Sequence, residues 1–320
     1  MAGLAGYLAA CAGYCRRGGR RGPAFLFLLQ EKIKNLCYNA EKLYFDKECS
    51  MKIKLIASDL DGTLLDNNNN ITDETEAALR QVLSAGCQFV VATGRNASEL
   101  PKRLAALPFR YLISANGAYV IDRERKTVLH KQCLTLNAAA AVMEAGQAHG
   151  AYVMYYVGTH VYTTSNFREY IELEKETKIY ELLSDAYLIC DDIREAAAGQ
   201  EGEIQKVVLF FRDSAHREET LADIADLADY ELTASFKNNV EFNCPGVSKG
   251  KALSAIMAEF GLSAEEIAVI GDGGNDVSML SLTPNSYAVR NACAQAKAVS
   301  RHTVGSSCEN GVAEMIHLLF

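Results

Sequence analysis

The sequence predicts an α/β protein in which a mainly parallel sheet flanked by helices is interrupted by an inserted α+β segment. Three observations carry that prediction. From Met51 onward, short apolar runs alternate with amphipathic stretches, as strands joined by helical crossovers do. Two of these runs, Ile53 to Ser58 and Ile267 to Ile270, open directly into acidic loops, Asp59-Leu60-Asp61-Gly62-Thr63 and Gly271-Asp272-Gly273-Gly274-Asn275-Asp276. Between about 134 and 235 the pattern changes and carries no such loop. At 320 residues, 49% hydrophobic and 22% charged, the chain is long enough for one large or two moderate domains.

Residues 1–50 have a composition of their own: no acid precedes Glu31, and Cys11, Cys15, Cys37 and Cys49 fall here. Arg16 to Arg21 follow one apolar stretch and precede another, which argues against a secretory signal. An Arg-bearing, acid-poor transit peptide is one reading. The preferred one is an over-extended gene model with translation starting at Met51, because Lys47-Glu48 can be encoded as a ribosome-binding sequence and Met51 precedes the first strand. On either reading this N-terminal extension is expected to be poorly packed or disordered, and unnecessary for activity.

The mainly apolar run 53–58, ended by a glycine-containing turn, reads as a central strand. Open α/β sheets gather their chemistry at the carboxyl ends of such strands. The polar loop Asp66 to Asn70 leads to a helix over 73–85, stopped at Gly86. Cys87 to Ala92 is a second strand, ended by Thr93-Gly94-Arg95 and followed by a helix to about Leu107; Tyr111 to Ser114 is a third strand. Tyr119 to Ile121 and Thr127 to His130 form a hairpin about a charged turn. Alternating stretches at 152–156, 161–164 and 207–211, with amphipathic segments at 136–148 and 216–228, make up the inserted α+β domain. The first pattern resumes at Val240-Glu241-Phe242, so the core is predicted to comprise 51–133 and 236–320 around an insertion at 134–235. A helix from Lys249 to about Phe260, the strand 267–270, a strand at Tyr287 to Val289 and a helix over 309–319 complete it.

The net charge of -8 combines a basic first fifty residues with a more acidic remainder, which argues against a nucleic-acid platform. The ten cysteines form no Cys-x-x-Cys pair and signal neither zinc nor a redox motif. Scattered thiols fit a reducing cytoplasm. No apolar stretch approaches the roughly 20 residues that cross a bilayer, so no membrane partner is expected.

Asp59 and Asp61, two apart on an extended backbone, are expected to point to one side. Carboxylates that close are costly unless a proton or cation lies between them. The pair therefore suggests a divalent metal, a nucleophile and an acid/base, against the blander reading of an Asp-rich turn. Taken singly, an Asp after a strand is more often a turn or helix cap. Four segments read together reverse that: Asp59-Leu60-Asp61-Gly62-Thr63-Leu64-Leu65, the strand-ending Thr93-Gly94-Arg95, the helix start Val247-Ser248-Lys249-Gly250-Lys251-Ala252-Leu253, and Gly271 to Asp276.

In this order they resemble the four motifs of the haloacid dehalogenase superfamily, and the insertion resembles the larger cap (C2 type, subclass IIB) of its Cof-like phosphatases. The resemblance covers 51–320 and implies a Rossmann-like core. It implies that Asp59 is the nucleophile that becomes an aspartyl-phosphate, and Asp61 the general acid and base. Superfamily members that act as ion-pump ATPases carry Thr at the second position, so Asp61 favours a phosphatase or mutase. Mg2+ is the implied cofactor, held by the Asp59 carboxylate, the Asp61 carbonyl and Asp272, with Asp276 behind them or acting through water. Thr93 and Lys249 bind phosphate oxygens by resemblance, Lys251 being the competing lysine, and Gly62, Thr63 and Asn275 complete the cradle. Arg95, Asn116 and Gly117 match entrance positions where substrate contact and plain helix-start or turn roles are equally open. The implied partner is a small phosphorylated metabolite, sugar phosphates first. A sugar phosphomutase and a non-catalytic sugar-phosphate-binding regulator are the alternatives.

Overall fold

The apolar run from Ile53 forms β1 (Leu55–Asp59), buried at every residue and placed in the interior of the larger of two sheets. The computed structural model describes residues 52–173, 187–225, 230–233 and 238–320; the expectations for 1–50, for a start at Met51 and for a boundary at 235 fall outside them. β1 pairs in parallel with β2 (Gln88–Ala92) and with β12 (Ile267–Gly271). β3 (Tyr111–Ser114), β13 (Ser286–Val289) and β14 (His302–Val304) extend the parallel array. The antiparallel strands β4 (Tyr119–Asp122) and β5 (Thr127–Lys131) close one edge, giving the order β14-β13-β12-β1-β2-β3-β4-β5.

The helix Asp73–Ser84 begins where its sequence predicts, with the Thr72 hydroxyl oxygen accepting from Thr75 N at 3.2 Å. The helix predicted to run to Leu107 is broken. Pro101 separates the turns Ala97–Glu99 and Lys102–Ala105, because proline has no N–H to donate and biases the residue before it away from the α region. Strand β14 is a further element, too short and too exposed for periodicity to reveal.

The second sheet contains β6 (Tyr152–Val157), β7 (His160–Thr163), β8 (Tyr187–Ile189), β9 (Ile204–Phe210), β10 (Glu231–Thr233) and β11 (Asn239–Asn243), in the order β10-β11-β9-β6-β7-β8. All lie between β5 and β12 in the chain, so this is the inserted α+β segment. One expectation is corrected. Val240-Glu241-Phe242 does not resume the core but belongs to β11, antiparallel to β9, and the insertion's sheet reaches Asn243. An apolar–polar–apolar triplet fits either sheet, and only long-range pairing chooses between them.

Side chains alternate across this sheet. Val153, Tyr155, Leu209, Val240 and Phe242 pack in one core cluster with the helix Leu136–Ala148. Met154, Tyr156, Val208 and Phe210 face the other way, with Phe167, Tyr170 and the loop residues Ala115 and Ala118 that follow β3. Lys206, Asn239 and Glu241 share that second face, turned toward the end of β1. No helix among the described residues is long and apolar enough to cross a membrane. The described cysteines, Cys87, Cys133, Cys190, Cys244, Cys293 and Cys308, are free.

Candidate active site

β1 ends on Asp59, and the chain then turns sharply through Gly62, whose φ of +80° favours glycine. A Cβ at Gly62 would lie 2.5 Å from Asp272 Oδ2, so the missing side chain also lets the first acidic loop approach the second. Thr63 Oγ1 donates to Asp272 Oδ1 at 3.2 Å, joining the loops that follow β1 and β12. The parallel pairing of these two strands places both carboxyl ends together.

Lys249 is the first residue of the helix Lys249–Phe260, whose N-cap Ser248 accepts from Lys251 N at 3.2 Å. The fully buried Lys249 Nζ donates to Asp59 Oδ1 at 2.5 Å and to Asp276 Oδ1 at 2.7 Å. The competing Lys251 is exposed and reaches Gln132 instead. Asp276 spends its other oxygen on the backbone amides of Asp272 and Gly273, at 2.9 and 2.8 Å. It therefore shapes the second acidic loop and fixes Lys249 at once.

Asp59, Asp272 and Asp276 each offer an oxygen within 4.8 Å of the others. One lysine cannot balance three ionised carboxylates. Burial pushes the Asp59 carboxyl well above the usual carboxylate range, and Asp276 pushes it further, against the pull of Lys249. Asp272 is raised as well, by burial and then by Asp276. Lys249 goes up too, because Asp276 and Asp59 outweigh its own burial. Asp59 Oδ2 is buried and receives no hydrogen bond. Excess negative charge on three clustered carboxylates, with hard oxygen donors and a single lysine among them, fits a divalent cation such as Mg2+. Asp59 and Asp272 have oxygens to offer it, whereas both Asp276 oxygens are engaged.

The Asp61 side chain stands apart from that triad. It is half exposed and held by the guanidinium of Arg95, whose Nε donates to Asp61 Oδ2 at 2.9 Å and whose Nη2 donates to Oδ1. Arg95 also reaches Asn69 Oδ1 at 2.6 Å and Glu99 O at 3.2 Å. Its fork is thus committed to the protein. Thr93 is buried at the end of β2, its hydroxyl oxygen accepting from Arg95 N at 3.0 Å. Asn275 Nδ2 donates to Asn116 Oδ1 at 3.1 Å, and Asn116 Nδ2 donates to Glu241 Oε2 at 3.0 Å. A Cβ at Gly117, where φ is +110°, would lie 2.4 Å from Ser248 O. Gly117 thereby lets the loop after β3 pack against the start of the lysine helix, which is a packing role.

Above the carboxylates lies a chamber of about 700 Å3, with Asp59, Asp61, Arg95, Asp272 and Asn275 on one side. The second sheet closes the other with Lys206, Asn239, Glu241, Tyr156 and Phe210. No motif in the sequence marks that second set, nor Glu99, which also lines the chamber. A signal was there: a lysine inside the apolar run Ile204 to Phe210 and a glutamate between Val240 and Phe242, charged residues where a strand core would be apolar.

Known proteins resemble this chain in sequence and in fold. The profile of the haloacid dehalogenase-like hydrolase family matches residues 56–316. Phosphatase YwpJ of Bacillus subtilis is 28% identical over 288 residues, covering 83% of this chain and 100% of its own. Pyridoxal phosphate phosphatase YbhA of Escherichia coli is 27% identical over 277 residues, covering 83% and 98%. The solved structure of a haloacid dehalogenase-like hydrolase from B. subtilis superposes with a TM-score of 0.73 at 27% identity, covering 84% of this chain and 100% of that one. With three of the four motifs at the carboxyl ends of the parallel strands β1, β2 and β12, the fourth opening the helix that carries Lys249, and the family match spanning residues 56–316, this chain belongs to the haloacid dehalogenase-like hydrolases.

Proposed function

We propose that this chain hydrolyses phosphate monoesters of small metabolites, sugar phosphates first among them, through an aspartyl-phosphate on Asp59 with Mg2+ held beside it. One observation carries the reading. Asp59 has Oδ1 fixed by Lys249 while Oδ2 is buried, receives no hydrogen bond and belongs to a residue of the chamber wall. A nucleophile needs an atom that is positioned, desolvated and not tied up.

In the first step Asp59 Oδ2 attacks phosphorus, the ester P–O bond breaks, and a proton from Asp61 goes to the departing alkoxide. In the second, Asp61 takes a proton from water, the water oxygen attacks phosphorus, and inorganic phosphate leaves with the Asp59 carboxylate restored. Asp61 has to leave the Arg95 fork to carry that proton, so Arg95 is read as its positioning residue. Lys249 offsets the charge of the incoming phosphate, and the Thr93 hydroxyl, the Gly62 and Thr63 amides and Asn275 are read as its cradle. Asp59 Oδ1, which can accept beyond its bond from Lys249, would hold the cation together with Asp272 and the Asp61 carbonyl and leave Oδ2 free to attack; when bound, the cation would neutralise carboxylate and phosphoryl oxygens.

The insertion is read as a cap, from about 134 to 243, that excludes bulk water from the chamber and contacts the leaving group. The relative named for pyridoxal phosphate supports a small phosphorylated substrate. The test is p-nitrophenyl phosphate turnover with Mg2+. Asp59→Asn should abolish phosphate release while leaving the circular dichroism spectrum unchanged, and undiminished turnover would refute the assigned nucleophile.

A further inference from the structure

The cap side of the chamber carries charge that the hydrolysis itself does not use. Lys206 and Glu241, only 3% and 2% exposed, are joined Nζ to Oε2 at 2.9 Å. Their strands are neighbours, and Lys206 Nζ also lies 4.7 Å from the centre of the Tyr156 ring. Glu241 continues through Asn116 to Asn275, so a chain of side-chain hydrogen bonds runs from the cap wall to the loop after β12. A buried ion pair is weak evidence for stability, since apolar residues of similar size often do as well. Met154, Val208 and Phe210 show that this face accepts apolar packing. A paired donor and acceptor kept on the wall of an open chamber is suited to reading a ligand.

The charge balance of the wall says which ligand. Arg95 and Lys206 are the cations of its described lining, and each is committed, Arg95 to Asp61 and Lys206 to Glu241. Lys249, beneath, is shared by Asp59 and Asp276. Glu99 adds another acid to the wall. Among the described residues, a second phosphate or a carboxylate on the substrate would have to displace one of these carboxylates or stand unpaired beside them, and both are costly. A hydroxyl can accept from Lys206 and donate to Glu241 without parting them.

We propose that the Lys206–Glu241 pair reads an uncharged, hydroxyl-bearing leaving group and turns away esters that carry a second anionic group. The inference rests on the phosphatase reading above and bears on the mutase alternative. A sugar phosphomutase must hold a bisphosphorylated intermediate, for which this wall offers no uncommitted cation among the described residues.

The test uses matched substrates that differ by one anionic group, glucose 6-phosphate against glucose 1,6-bisphosphate and glycerol 3-phosphate against 3-phosphoglycerate. kcat/KM is measured on the full chain with Mg2+, and binding of the same compounds is measured by calorimetry on Asp59→Asn. The singly charged member of each pair should be favoured by about tenfold or more, and Glu241→Gln, which frees Lys206 yet keeps an acceptor for Asn116, should shrink that ratio by about tenfold. Equal handling of the two members of a pair, including equal failure to bind, overturns the inference, as does a folded Glu241→Gln with unchanged ratios. If Glu241→Gln does not fold, the wild-type ratios decide. Selective binding without turnover would remove the phosphatase reading and leave the selectivity standing; turnover of p-nitrophenyl phosphate with a preference for bisphosphates would do the reverse.

Discussion

Lys249 has no exposed surface and faces two carboxylates, so its removal acts on fold and chemistry together. Lys249→Met leaves Asp59 and Asp276 facing each other without a cation. The expected loss is roughly 3–5 kcal/mol of stability, read from the urea midpoint, together with loss of phosphate release. A stability unchanged within error would mean the carboxylates are neutralised another way. Arg95 makes a different kind of prediction. If its fork positions Asp61, Arg95→Lys keeps the charge but loses the two-pronged geometry, and kcat should fall about tenfold with KM little changed. A rise in KM at constant kcat would make Arg95 a substrate contact instead. At this scale the aspartates were legible, because Asp59 and Asp61 announce themselves by spacing along one loop. The Arg95–Asp61 pair was not, since the partners come from loops after different strands and nothing local marks a guanidinium as spent.

The loop after β1 and the insertion's first helix can each be tested as elements. Gly62→Ala forces a side chain onto a backbone at φ +80° and pushes its Cβ into Asp272. The expected cost is about 1–3 kcal/mol by thermal unfolding, with weaker Mg2+ binding by calorimetry because Asp272 is displaced. His149 caps the helix Leu136–Ala148, and its Nε2 lies 2.7 Å from Asp223 Oδ2. Hydrogen bonding to Asp223 raises the imidazole above its ordinary value of 6.5, with slight burial opposing. The sign follows: the stabilisation is complete below 6.5 and is lost as pH rises through the raised value. The NMR titration midpoint of His149 should exceed 6.5 and return toward it in Asp223→Asn; a wild-type midpoint at or below 6.5 would contradict the contact. Strand positions in the core were readable because both faces are covered and the apolar runs are nearly continuous. β11 was misplaced because its triplet suits either sheet.

Across the whole molecule, the two sheets meet over the acidic site and hold each other by side chains. Asn96 Nδ2 donates to Gly158 O at 3.0 Å and to Gln205 Oε1 at 3.3 Å, and Asn116 reaches Glu241. If the excess negative charge beneath that junction holds a cation as proposed, global stability is expected to respond to divalent ions. Mg2+ at about 100 times its Kd should stabilise the protein by roughly 2.7 kcal/mol, a rise of several degrees in Tm. Asp272→Asn should lose most of that increment while folding normally without metal. An equal Mg2+ shift in that variant would place the cation elsewhere.

The amino-acid sequence by itself determined the core strands, the acidic loops and their order, because apolar period, glycine turns and Asp spacing are encoded within a few neighbouring residues. Tertiary structure alone decided what those loops face. Lys249 and Asp59 are 190 residues apart in the chain, and Asn116 and Glu241 are 125 apart. Their meeting depends on parallel register in one sheet and antiparallel register in the other. A single-residue slip in β9 or β11 would turn Lys206 or Glu241 away from the chamber. Register is set by the summed contacts of distant segments, which no local stretch of sequence contains.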